Sequence, residues 1–149
     1  MKRYLVLCFA LTTLAIFADS LTATDDQLKS RKKTAVEIIS SDEGFLEEYS
    51  DRLNEKEMTY FYNLSFKMAE DLASETIQIK DDNLAYEYIQ TRIECKSGLK
   101  SQIRGKIESY LRGEYQLTEV KLNPDFSNAC SRMLRNLEAI KLQRAMTTI

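Results

Sequence analysis

Histidine is absent from this 149-residue chain, and proline and glycine are scarce, with one and four residues respectively. Without histidine the chain lacks the commonest general base, the commonest zinc ligand and the partner of every Ser-His or Cys-His nucleophile pair. A glycine-rich phosphate loop is missing as well. Carboxylates are plentiful, but helical periodicity places them on outward faces, whereas acid–base catalysis needs two of them in one pocket. We therefore expect no enzymatic activity, no cofactor and no metal site.

An apolar run long enough to span a membrane is also missing. Lys2 and Arg3 precede an apolar run over residues 4–17, and the small residue Ala18 follows it. A spanning helix needs about 20 apolar residues, and this run ends at Asp19. A basic start, a short apolar run and a small residue are typical of a secretory signal peptide. We predict a signal peptide over residues 1–18 and a secreted, extracellular protein; the alternative is a buried N-terminal helix.

Removal of that segment leaves residues 19–149, a length that fits a single domain. This part of the chain contains 19 of the 21 basic residues and all 23 acidic residues, so its net charge is −4 with Asp19 retained. A mildly acidic protein lacks the clustered positive charge that phosphate backbones require. We expect no nucleic-acid partner, no membrane partner and a monomer.

Three cysteines occur, and Cys8 would leave with the signal peptide. Cys95 and Cys130 then remain as an even pair in an oxidising compartment, which predicts one disulfide. The loop that it would close contributes roughly 4 kcal/mol on the chain-entropy estimate. The alternative is two free buried thiols.

The remaining sequence has helical periodicity almost throughout and no alternation typical of strands. It predicts an all-α protein, a compact four- to five-helix bundle with mostly antiparallel neighbours. Asn54 with Glu57 forms a capping-box pattern, and Asn123 with Pro124 is typical of a helix start. The predicted helices are 25–40 with Asp25 or Asp26 as cap, 42–53 weakened by Gly44, 54–73, 81–111 interrupted by Gly98 and Gly105, and 123–140.

Four basic residues recur at four-residue spacing in the fourth predicted helix: Arg92, Lys96, Lys100 and Arg104. On one continuous helix they form a slowly turning row about 18 Å long. Such a row can steer the protein toward a charged protein partner or a sulfated polysaccharide. The alternative interpretation is a solvated helix face.

Asn63-Leu64-Ser65 is an N-glycosylation sequon. On the predicted third helix Asn63 faces away from the apolar stripe, and Tyr60 lies on the same outer side. Asn63 is therefore a candidate glycosylation site. Tyr60 is a candidate partner-binding residue, because tyrosine is a favoured binding anchor.

Aromatic and methionine side chains could instead line an internal cavity. Helical bundles hold apolar ligands between their helices. A carrier of a small apolar ligand is therefore an alternative function, with the lining Phe61, Tyr62, Met68, Tyr88, Phe126 and Met133. A secreted signalling bundle that binds a receptor of its own organism is a further alternative.

The chain resembles the anophensin/albicin-type family of anopheline salivary proteins. The resemblance lies in the opening helix over residues 31–37 (RKKTAVE), in residues 60–63 (YFYN) and in the closing helix over residues 130–134 (CSRML). It implies a small secreted helical inhibitor that blocks the alternative complement pathway at its convertase. Inhibition of contact activation and plasma kallikrein is the other activity that it implies. The expected partner is an extracellular host protein.

Overall fold

A computed structural model describes residues 21–147 of the chain. The predicted signal peptide over residues 1–18 lies outside the described residues. The described part is helical and contains no β-strand. Its five α-helices are α1 (Asp25–Ser40), α2 (Glu55–Ser74), α3 (Asp82–Glu94), α4 (Leu99–Leu111) and α5 (Ser127–Thr147). Short 3-10 turns lie at Glu47–Tyr49, Glu75–Gln78 and Pro124–Phe126. The all-α prediction is confirmed.

Capping residues begin the first two helices. Asn54 accepts from the backbone N–H of Glu57 at 2.8 Å, and the Glu57 carboxylate accepts from the Asn54 N–H at 2.8 Å, as the sequence predicts. For α1 the predicted cap, Asp25 or Asp26, is wrong. Thr24 caps the helix through a reciprocal pair with Gln27. Asp25 and Asp26 lie in its first turn, where carboxylates stabilise the positive end of the helix dipole.

Helix α2 is the centre of the bundle and packs against each of the other four α-helices. Its predicted apolar face is largely confirmed, because Met58, Phe61 and Tyr62 are buried with the small residues of the same stripe. Phe66 is also fully buried, although the predicted face did not include it. The aromatic side chains of α2 fill the interior of the bundle. Helices α1, α4 and α5 pack over the flanks of α2.

The segment over residues 42–53 is not an α-helix. Leu46 has the left-handed backbone conformation, with φ 68°, and only a 3-10 turn at Glu47–Tyr49 follows. The apolar side chains are nevertheless buried, and the Tyr62 hydroxyl donates to the Phe45 carbonyl at 3.0 Å. The apolar spacing therefore reflects burial of an irregular segment, and the helix predicted here is wrong.

The helix predicted over residues 81–111 is broken into α3 and α4. Asp81 caps α3 as expected, but Cys95 has an extended backbone and ends the helix. Gly98 then begins α4. A Cβ at Gly98 would lie 2.4 Å from the Arg92 carbonyl oxygen, so the close turn between the two helices requires glycine. Gly105 has open space around it and lies within an uninterrupted helix.

The predicted disulfide between Cys95 and Cys130 is wrong, because both cysteines are free thiols. Helical periodicity places Cys95 and Cys130 each on the apolar stripe of its own predicted helix, 81–111 and 123–140. The break removes Cys95 from such a stripe, and its Sγ atom lies against Gly98 in the turn. The Cys130 Sγ atom lies on α5 at 4.0 Å from the Thr59 carbonyl oxygen of α2. Each sulfur therefore contacts a different part of the bundle.

Candidate functional site

An open groove lies between α1 and the beginning of α5. Its volume is about 920 Å³. The apolar floor consists of Leu28 and Val36 from α1 with Phe126 and Ala129 from the other wall. Val36, Phe126 and Ala129 are buried and Leu28 is half-buried. Leu28 is therefore the main apolar side chain that the floor of the groove leaves exposed.

A buried arginine holds the α1 wall in place. Arg31 is fully buried, and its guanidinium donates to an Asp82 carboxylate oxygen from Nε at 3.1 Å and from a terminal nitrogen at 2.8 Å. Further donations reach the carbonyl and hydroxyl of Thr76, at 3.0 and 3.1 Å, and the Lys80 carbonyl at 3.2 Å. Gln27 donates to the same Lys80 carbonyl at 3.0 Å. These bonds fix α1 to the segment that precedes α3, so the groove wall is preorganised.

Four basic side chains border the groove: Lys29, Lys32 and Lys33 on α1, and Arg132 on α5. Among residues 21–147, none of them has a carboxylate oxygen within 4.0 Å. Arg132 donates to the Ser40 hydroxyl at 3.0 Å, which ties the beginning of α5 to the end of α1. These four side chains thus form no ion pair in the described part of the chain.

Acidic side chains border the same groove at different positions. Asp25 and Asp26 lie at the beginning of α1, Glu37 lies near its end, and Asp125 lies on the other wall. Along α1 the charge therefore changes from negative to positive and back to negative. A charge pattern of this kind selects a partner by the order of its charges, beyond its net charge.

The predicted basic row is not continuous, because α3 ends at Glu94 and its four members lie on two helices and a turn. Lys100 is buried and pairs with Asp42 at 2.9 Å and with Glu94 at 2.6 Å. Its ammonium also lies 5.7 Å from the centre of the Phe45 ring. Lys100 is therefore a structural cation inside the fold.

The other members of the row differ from one another. Arg104 pairs with Glu48 at 3.1 Å and lies over the Phe45 ring at 5.5 Å. Lys96 is exposed in the turn, and Arg92 is half-buried on α3. Only Arg92 and Lys96 remain without an ion-pair partner among residues 21–147. Partner binding by this set stays a prediction, with two of its four charges already neutralised.

Tyr60 is half-buried, and its hydroxyl lies 2.8 Å from the Tyr115 hydroxyl. Burial raises the pKa of Tyr60, but hydrogen bonds with Tyr115 and Thr118 outweigh it, so the net pKa is lowered. Burial and the bond to Tyr60 raise the pKa of Tyr115 to about 12. The pair fastens the connector after α4 to α2, which is a structural role that the sequence did not indicate.

Asn63 is half-buried, whereas the sequence predicts a solvent-facing side chain. Its Oδ1 atom is buried and has no hydrogen-bond partner in the described chain. The central position of α2 explains the difference, because other helices cover this helix on several sides. Glycosylation of Asn63 stays a prediction.

The predicted lining of an internal ligand cavity is mostly packed core. Phe61, Tyr62 and Met133 are fully buried, and Met68 and Tyr88 are half-buried. Phe126 alone of that set borders the groove. Helical periodicity identifies the apolar face of each helix. The position of the groove depends instead on how α5 packs on α1, which periodicity does not reveal.

In the part of the chain that the structure describes, no three acidic or cysteine side chains come together in a group able to hold a metal ion. None of the described helices is both long and apolar enough to cross a membrane. The chain matches no protein-family model, no curated protein and no solved structure in the comparisons made.

Proposed function

We propose that this protein is a secreted, non-enzymatic inhibitor of host defence that binds an extracellular host protein through the groove between α1 and α5. The alternative-pathway complement convertase is the first target to test, and a contact-system factor is the second. The choice of cascade comes from the family resemblance of the sequence. The choice of surface comes from the structure.

The observation that carries the binding role is the open apolar groove bordered by unneutralised charges. Its floor is made by two helices that are held to the bundle by Arg31 and Arg132. A rigid surface of this kind loses little conformational entropy when a partner binds, which favours affinity. Apolar floor with a charged rim is the usual composition of a protein-binding surface.

A carrier of a small apolar ligand is the second candidate. The groove volume of about 920 Å³ lies within the range of roughly 300–1,000 Å³ typical of small-ligand sites. The groove is open along one side, however, and a basic block between two acidic ends borders it along α1. Both features suit a protein segment better than a lipid chain that must be shielded from water.

The experiment measures alternative-pathway C3 deposition and plasma kallikrein generation with protein purified from the medium of expressing cells. We expect one of the two activities to fall by at least half at micromolar inhibitor. Leu28→Asp in the groove should abolish that inhibition. Leu142→Asp is the matched control, because Leu142 is 64% exposed on α5, away from the groove.

Unchanged C3 deposition and unchanged kallikrein generation with folded wild-type protein would refute the inhibitor proposal. Co-purification of a stoichiometric lipid, lost in Leu28→Asp and retained in Leu142→Asp, would establish the carrier instead.

A further inference from the structure

The geometry points to one kind of occupant for the groove: an amphipathic helix of the partner protein, with carboxylates flanking its apolar stripe. This inference rests on the proposed function and specifies the chemistry of the partner segment. It follows from the shape of the groove, the position of its charges and its length.

The shape favours a helix. Two helices, α1 and α5, pack on α2 and leave an apolar channel between them, with Val36 and Phe126 at its floor. A third helix laid in such a channel contacts both walls with residues spaced three and four apart. The side chains of Leu28 and Ala129 extend the same apolar floor. An occupant with one apolar stripe would cover Leu28, because Val36, Phe126 and Ala129 are already buried.

The charges favour carboxylates on the occupant. Lys29, Lys32 and Lys33 stand on one wall and Arg132 stands on the other, so both flanks of the occupant face positive charge. Elsewhere in the described chain seven basic side chains have carboxylate partners within 4.0 Å. These four do not, and Arg132 meets only the Ser40 hydroxyl. Eight other basic side chains among residues 21–147 also lack such a partner, so it is the position of these four on the two walls of the groove that favours an acidic occupant.

The acidic residues limit the alternatives. Asp25 and Asp26 at one end of α1 and Glu37 near the other repel a long polyanion such as nucleic acid or sulfated polysaccharide. A ligand with a single anionic group leaves most of the lysines unmatched. An acidic centre on a short helix matches the three lysines and avoids both acidic ends.

The length of the groove sets the size of the occupant. The lining residues of α1 extend from Asp25 to Glu37, which is about 18 Å at 1.5 Å per residue. A helix of roughly twelve residues, or a little over three turns, covers that distance. A helical partner segment that fits this groove is therefore short.

The test uses two synthetic 18-residue helical peptides with the same leucine stripe, one flanked by glutamates and the other by lysines. Fluorescence anisotropy measures their binding to the purified full protein at low and high salt. We expect the glutamate peptide to bind at least 10-fold more tightly than the lysine peptide. Its affinity should fall with added salt, because screening weakens exposed charge pairs.

Matched variants locate the site. The double variant Lys32→Glu, Lys33→Glu should weaken the glutamate peptide at least 10-fold and bring the lysine peptide closer to it. The double variant Arg92→Glu, Lys96→Glu changes the same number of charges at the end of α3 and in the turn that follows it. It should leave the affinities of both peptides within twofold of those of the wild type. Urea unfolding confirms that each variant is folded.

Equal binding of the two peptides, absence of saturable binding by either, or equal sensitivity to the two variants would overturn the inference. Displacement of the glutamate peptide by micromolar dodecanoate would also overturn it, in favour of a small anionic amphiphile. Peptide binding as expected without inhibition of either plasma cascade supports this inference and refutes the proposed function. Inhibition of a plasma cascade that survives in the Lys32→Glu, Lys33→Glu variant supports the proposed function and refutes this inference.

Discussion

Two sets of four basic side chains, the predicted row in the α3–α4 region and the four at the α1–α5 groove, differ in what surrounds the charges. In the α3–α4 region, Lys100 is buried between Asp42 and Glu94, and Arg104 pairs with Glu48. At the α1–α5 groove, the lysines of α1 and Arg132 have no carboxylate within 4.0 Å in the described chain. The first set uses two of its cations, Lys100 and Arg104, to hold the fold together, whereas none of the second set forms an ion pair within the described chain.

The difference teaches that the spacing of charges along a helix does not reveal their role. Arg31 and Lys33 lie two residues apart on α1, yet Arg31 is fully buried and Lys33 is exposed. The carboxylate that pairs with Arg31 comes from Asp82, which lies 51 residues away in sequence. Long-range pairing decides which cations are structural. Substitution of an ion-paired cation should therefore lower the free energy of unfolding more than substitution of an unpaired one.

The largest expected effect comes from Arg31→Met. It leaves the Asp82 carboxylate and the Thr76 and Lys80 carbonyls without their shared donor. Removing one partner of a buried ion pair typically costs 3–5 kcal/mol, and the partial exposure of Asp82 favours the lower end, about 3 kcal/mol. Urea unfolding monitored by circular dichroism measures the loss. Lys33→Met on the same helix should change stability by less than about 0.5 kcal/mol; equal losses would erase the distinction between the two groups.

Gly98→Ala should destabilise the protein by about 2–3 kcal/mol, because its Cβ would meet the Arg92 carbonyl oxygen at 2.4 Å. Gly105→Ala is the matched control. No atom lies within 4 Å of a Cβ there, and alanine should stabilise α4 by up to about 1 kcal/mol. Opposite signs in urea unfolding would establish the break that divides the basic row. A tolerated Gly98→Ala would indicate one continuous helix instead.

Lys100→Met should cost about 1–2 kcal/mol. The lysine side chain is 9% exposed, but its carboxylate partners Asp42 and Glu94 are 40% and 46% exposed, so water compensates part of the lost pairing. Lys96→Met, in the neighbouring turn, should lie within about 0.5 kcal/mol of wild type. Thermal or urea unfolding of the pair measures the contrast. A neutral Lys100→Met would mean that this lysine is as free as those of the groove.

The smallest expected effect is that of a reducing agent. Because Cys95 and Cys130 are free thiols, dithiothreitol should leave the free energy of unfolding unchanged within about 0.3 kcal/mol. A disulfide closing this loop would instead give a loss of roughly 4 kcal/mol. Two thiols should titrate in the unfolded, unreduced protein. In the folded protein Cys130 should react slowly, because burial raises its pKa to about 11 and leaves little thiolate at neutral pH.

Much of the architecture could be predicted from the sequence because it depends on local signals. The capping box of Asn54 and Glu57, the start of α3 at Asp81 and the apolar stripe of α2 are examples. The break at Gly98 could not be distinguished from the uninterrupted helix at Gly105 on sequence alone. The two glycines differ only in what surrounds them after folding.

The groove could not be predicted for a related reason. Its walls come from residues about 90 positions apart, as the bond between Ser40 and Arg132 shows. The sequence shows the lysines at residues 29, 32 and 33. The neighbouring residues do not reveal that these lysines lack a carboxylate partner in the folded protein. Their number on one short stretch of α1 was the signal that could have drawn attention to this surface.

The most direct test of the account is a side-by-side capture from vertebrate plasma under complement activation, with retained proteins identified by mass spectrometry. The baits are wild type, the groove variant Lys32→Glu, Lys33→Glu and the α3–turn variant Arg92→Glu, Lys96→Glu. The account predicts that wild type and the Arg92→Glu, Lys96→Glu variant retain the same convertase or contact-system protein, and that the groove variant loses it. Capture that survives in the groove variant and fails in the other would contradict it.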